Sequence, residues 1–170
     1  MIARRRAAWI LGIANVALLI PLLECERRMR RTGGPGIVPF ELAGPKHSQR
    51  VLDKWGAEGQ RAARASLVLD YPYLVTYSGL LYIGCAAASD ELGRRGADAL
   101  VKAGQVIAPA QIAAGAFDVV ENTSLRAILS GRRGRLPAIA RASSQAKLAL
   151  MAVGSLYGAF GLASRLAPGR

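Results

Sequence analysis

Apolar residues gather along this chain in four blocks, with most of the charge set between them. Residues 7–23 hold no charged side chain, 66–89 hold only Asp70, 103–125 hold Asp118 and Glu121, and 148–164 hold none. A helix that crosses a bilayer needs roughly 17–25 mostly apolar residues. The second and third blocks meet that length comfortably, and the first and fourth stand at its short end. The pattern predicts helices over 7–25, 66–89, 97–129 and 146–165. The expected fold is all-α: a single membrane domain over 1–170, built as an up-down four-helix transmembrane bundle.

The stretches between the blocks refine this picture. Thr32-Gly33-Gly34-Pro35-Gly36 reads as a turn. Over 47–64, Val51, Leu52, Trp55, Ala62 and Ala63 fall near one helical face, with Arg50, Lys54, Arg61 and Arg64 elsewhere. That predicts an amphipathic interfacial helix between helices 1 and 2, with Trp55 at headgroup level. In the fourth block Gly154 and Gly158 form a GxxxG pair, a pattern that lets helices approach closely. Packing inside the bundle is the first expectation and a homodimer through Gly154/Gly158 the second.

Charge changes the reading of partners. The chain is 52% hydrophobic and carries a net charge of +12. The Arg clusters flank apolar blocks and do not coat a folded domain, which points to membrane lipid and away from nucleic acid. Lys and Arg concentrate in the first and third connections, the third including Arg132, Arg133 and Arg135. The positive-inside rule then places both connections in the cytoplasm, which implies a multi-pass protein of the inner (cytoplasmic) membrane. Arg4, Arg5 and Arg6 before an apolar run resemble a signal peptide, but no A-x-A site follows, so the segment reads as a retained helix. Cys25 and Cys85 fall at opposite membrane faces, too far apart to pair within the chain.

The candidate chemistry lies in the third block. Asp118, Glu121 and Asn122 are spaced by three and four residues and share one helical face. An ionisable group in hydrocarbon costs about 2.5–3.5 kcal/mol on insertion scales, so it is rarely idle. At 1.5 Å rise per residue, Asp70 and Glu121 each lie roughly 10 Å from the centres of their helices, toward the same side. The embedded carboxylates therefore converge in one leaflet. The expected site is a polar vestibule with Asp70, Asp118 and Glu121 as candidate catalytic groups. Glu24, Trp55, Tyr73, Tyr77, Gln111, Asn122 and Lys147 are its candidate ligand-binding residues. Zinc is disfavoured, because the sole histidine, His47, lies in the first connection and reads as exposed, and no other metal or cofactor is implied.

Several short motifs add a resemblance. They are Phe40-Glu41-Leu42-Ala43, Leu52-x-x-Trp55-Gly56, Leu69-Asp70-Tyr71-Pro72-Tyr73, Asp118-x-x-Glu121-Asn122 and Lys147. In this order and spacing the chain resembles an uncharacterised family of small bacterial four-helix integral membrane proteins. The resemblance implies the fold and the site residues but no reaction. The function expected from the sequence is binding of a lipophilic or amphipathic small molecule in the vestibule, with acid–base chemistry as its enzymatic version. The alternatives are a small proton-coupled transporter acting as a dimer, and a membrane scaffold or complex subunit whose charges only pair with one another.

Overall fold

In the computed structural model, which describes residues 2–132 and 134–166, the chain is entirely helical among the described residues. Arg133 of the basic third connection lies outside them. The elements are α1 (Ile2–Arg31), α2 (Ile37–Glu41), α3 (Gly44–Arg94), α4 (Asp98–Leu129) and α5 (Leu136–Leu166). α1 runs through Pro21 and ends six residues later than the apolar block suggested, carried on by Glu24–Arg28 and Glu26–Arg30 pairs one turn apart. α5 begins ten residues earlier than expected, so the third connection is a short turn.

The long helices lie side by side. α3 packs against α1, α4 and α5, and α4 packs on α5. Contacts between α3 and α4 run from Arg64–Leu129 through Asp70–Asn122 and Tyr77–Asp118 to Ser89–Val101, so the two helices are antiparallel. α4 and α5 are antiparallel too, through Asp118–Lys147, Gln111–Leu150 and Leu100–Tyr157. α1 meets α3 with the same opposed sense at Asn15–Thr76 and Arg4–Asp90.

Among the described residues three helices, α1, α4 and α5, are long and apolar enough to cross a membrane. α3 does not reach the same mean hydropathy, because its apolar block is diluted by Asp70, Thr76, Ser78 and four tyrosines. The outer surface fits a hydrocarbon solvent. Trp9, Ile10, Ile13, Ile20, Val106, Leu156 and Leu162 are exposed, and only 6% of the most apolar stretch of α1 is buried. So large an apolar face is foreign to a protein bathed in water.

The predicted interfacial helix over 47–64 is corrected as well. The segment is part of α3, which breaks at Gly56 (φ 54°, ψ −160°), a backbone shape that glycine adopts without a side-chain penalty. Its apolar face packs on protein, in a core shared by Met29, Phe40, Leu52, Trp55, Ala63, Leu67, Leu125, Ile128 and Ala140. Trp55 is 1% exposed, stands 4.8 Å from the Phe40 ring and donates its indole N–H to the Pro35 carbonyl at 2.6 Å. Gly34 and Gly59 make its place, because a Cβ on either would collide with the indole. α2 has no long apolar pattern to announce it; Phe40 pins its single turn into this core.

Replacing Trp55 with Ala should destabilise the protein by about 3–5 kcal/mol, as for other large buried aromatics. Trp55→Phe should cost less, mainly the lost indole hydrogen bond, about 1 kcal/mol. Unfolding in mild detergent measures both; equal losses would deny the ring its packing role.

Candidate functional site

Between the core at one end of the helices and a smaller one at the other (Cys85, Ala88, Leu92, Ala108 and Tyr157) lies a polar layer. Its centre is Lys147 of α5. The ammonium Nζ stands 2.9 Å from Asp118 Oδ1 and 2.8 Å from Glu121 Oε2. The spacing from Asp118 to Glu121, less than one helical turn, lets a single cation bridge both. All three side chains are buried. The Lys147–Asp118 contact is a directed hydrogen bond, and Glu121 meets the same ammonium as an ion pair.

α3 supplies the facing wall. Tyr77 donates its hydroxyl to Asp118 Oδ2 at 2.7 Å. Asn122 donates its side-chain amide to Asp70 Oδ2 at 2.6 Å. Tyr73 stands one turn from Tyr77, with ring centroids 5.7 Å apart. Asp118 is thus held on both oxygens, while Asp70 keeps one oxygen turned from Asn122.

A cavity of about 330 Å³ opens against this wall. Its polar side carries Glu26, Glu41, Asp70, Tyr73, Tyr77, Asp118 and Lys147. Its apolar side is made by Leu19, Leu22 and Leu23 of α1 with Leu148 and Met151 of α5. α1 leans on α3 and is not packed along α5, so the cavity occupies the gap between them. Its size falls at the lower end of small-molecule sites.

The structure therefore gathers Asp70, Tyr73, Tyr77, Asp118, Glu121, Asn122 and Lys147. It leaves out three expected residues. Glu24 is half-buried, paired with Arg27 and Arg28, and does not line the cavity; because α1 continues past Cys25, Glu26, about 200° further around the helix, faces the cavity instead. Trp55 belongs to the neighbouring core and not to the cavity. Gln111 is fully buried two turns from Asp118, where its amide donates to the Leu150 and Ile107 carbonyls and ties α4 to α5 beneath Gly154. His47 is exposed, on helix α3 and not in a loop.

Glu41 is a site residue that the apolar pattern did not flag. It lines the cavity, and its carboxyl comes within hydrogen-bonding reach of Glu121. Its only signal in the sequence is its place beside Phe40 in the Phe-Glu-Leu-Ala motif. Burial pushes its carboxyl up to about 8, with Lys147 pulling the other way and the nearby Glu121 and Asp118 adding to the rise. Among the described residues no three His, Cys, Asp or Glu side chains are arranged to hold a metal ion. Comparison with protein-family models, curated proteins and solved structures finds no match to this chain, so the functional reading rests on the site itself.

Two outcomes follow from this geometry. Lys147→Met strands two buried carboxylates and should destabilise the fold by about 3–5 kcal/mol, whereas Asp118→Asn, Glu121→Gln and Lys147→Met together should recover most of that loss. Thermal unfolding of the single and triple variants decides between a bridging cation and a spectator. Glu41 sets a pH dependence. Its folded-state value lies above the ordinary 4.5, so the stability its proton supports is complete below that pH and is lost as pH rises through about 8. The melting temperature should fall over this window in the native protein and fall less in Glu41→Gln.

Proposed function

We propose that this is a multi-pass protein of the cytoplasmic membrane, a four-helix up-down transmembrane bundle, whose vestibule binds a lipophilic or amphipathic small molecule. The observation that carries the reading is the cavity between α1 and α5. It is apolar on the side of the outward-facing helices and polar against α3. A ligand would enter sideways from the bilayer and leave its tail among Leu19, Leu22, Leu148 and Met151, with its head at Asp70, Tyr73 and Glu41. The Arg-rich connections lie at the vestibule end, so the positive-inside rule puts the site in the cytoplasmic leaflet.

The chemistry of the wall favours a donor-bearing head. Lys147 is already shared by Asp118 and Glu121, and the Tyr77 hydroxyl is already given to Asp118. The open capacity is that of carboxyl acceptors, chiefly Asp70. An amine or hydroxyl satisfies it, and a carboxylate head would meet like charge. The closed Lys147 triad favours a structural part for Asp118 and Glu121. The acid–base version of the function accordingly falls to Asp70 and Glu41, which face the cavity with fewer partners.

Matched twelve-carbon amphiphiles test the reading in detergent or nanodiscs. Dodecylamine should bind more tightly than dodecanol, and dodecanol more tightly than dodecanoate. Asp70→Asn should weaken the amine by about ten-fold or more, the usual worth of a hydrogen bond to a charged group. Binding of all three with equal strength, or no difference between the native protein and Asp70→Asn, would sink it.

A further inference from the structure

A second cavity, of about 380 Å³, lies at the opposite end of the helices and shares no residue with the vestibule. Four guanidinium groups border it: Arg4 and Arg5 from the start of α1, Arg94 from the end of α3 and Arg165 from the end of α5. Three elements distant in sequence thus deliver positive charge to one place. The local acids do not cancel it. Asp90 pairs with Arg4, and Glu91 is shared by Arg94 and Arg165, while Arg5 makes no ion pair among the described residues. Two carboxylates against four guanidiniums leave the pocket with a net positive charge. Guanidinium groups recognise phosphate oxygens in pairs, which suits a phosphoryl group better than a lone carboxylate.

The floor of the pocket identifies the rest of the ligand. Ala8, Ile83 and Ala87 form it, and at Ala87 and Arg165 it meets a narrow groove between α3 and α5 lined by Gly84, Gly158 and Gly161. These glycines are not alike. Gly161 is pressed on Ala88, and Gly154 on Gln111, so both serve packing inside the chain. Gly158 and Gly84 face open space, where an added Cβ would meet nothing. The groove stays open because those positions lack side chains, and not because helix contact requires it. Leu162 lines it, and the outward surfaces of α5 and α1 are apolar, with Leu156, Phe160 and Trp9 exposed.

We propose that this end of the protein is a binding site for an anionic phospholipid, its phosphoryl head held by Arg5, Arg4, Arg94 and Arg165 and one acyl chain lying in the glycine groove. The site stands apart from the vestibule in position and in charge: the vestibule is rich in carboxylates and this pocket in guanidiniums. A free phosphate satisfies only the head of the site, whereas a phospholipid fills head and groove together, and that difference makes the assignment testable.

Native mass spectrometry of the full chain, released from nanodiscs of phosphatidylcholine containing dioleoyl phosphatidic acid, provides the measurement. The native protein should retain one phosphatidic acid through delipidation in preference to phosphatidylcholine. Removing two contacts in Arg5→Gln/Arg165→Gln should lower retention by about thirty-fold, at the usual worth of a basic residue near a lipid head. Arg132→Gln/Arg135→Gln removes equal charge at the other end and should change retention little. Gly158→Leu leaves every charge in place, and a Cβ there meets no neighbour, so it should keep the fold and still lose the lipid. Millimolar inorganic phosphate should not displace the lipid. Equal loss in both double-arginine variants would reduce the effect to general surface charge and overturn the proposal. So would full retention in Gly158→Leu, or displacement by inorganic phosphate, either of which would assign the pocket to a free anion.

Discussion

The ammonium of Lys147, shared between Asp118 and Glu121, is the contact on which the other features of this structure depend. Taking three ions out of water is expensive, and only close mutual pairing makes it tolerable. That pairing requires α4 and α5 to be antiparallel at one register, because a shift of one residue would turn the ammonium away from both acids. The remaining partners extend the constraint to α3. Tyr77 closes the second oxygen of Asp118, and Asn122, one residue beyond Glu121, reaches Asp70. Three helices are thereby set against one another by directed bonds, in surroundings where apolar packing alone would discriminate poorly between registers.

The polar layer also divides the molecule. On one side lies a core of the kind found in water-soluble proteins, with Trp55, Phe40 and Met29 at its centre. Gly34 and Gly59 leave room in it for the indole, α3 breaks beside it at Gly56, and Phe40 in this core sits next to Glu41 at the cavity. On the other side the helices continue with small residues and tighter contacts, such as Gly161 against Ala88. α1 stands outside this scheme. It touches mainly α3, leaves gaps to α5 at both ends, and so borders both cavities.

Much of the site could be read before any coordinates. The charge of Asp118, Glu121 and Asp70 within apolar runs, together with helical rise, gathers them toward one end of the helices, where Asn122 reaches Asp70 and Lys147 joins Asp118 to Glu121. The misreadings have common physical causes. Glu24 is expected at the site from its distance along the chain, but two residues of helix separate its face from the lining one, and Glu26 holds the place. Gln111 shares a face with Asp118 in projection, yet that face turns against α5 once the helices cross. Trp55 looked interfacial because an amphipathic helix beside a membrane has two surfaces to choose from, lipid and protein, and its own periodicity does not say which. Glu41 carried no periodic signal at all, since a single helical turn is too short to show one.

By itself the sequence determined where the long helices run, which stretches suit hydrocarbon and which charged residues must find partners there, because these follow from local composition and the 3.6-residue repeat. Only the tertiary structure decided who those partners are. It chose Lys147 as a shared cation, turned Glu26 and Glu41 inward in place of Glu24, and folded Trp55 into a core. It also left α1 apart from α5, which opens both cavities. Those outcomes depend on how helices from distant parts of the chain rotate and cross. The linear order of residues constrains such angles only through the contacts they finally make.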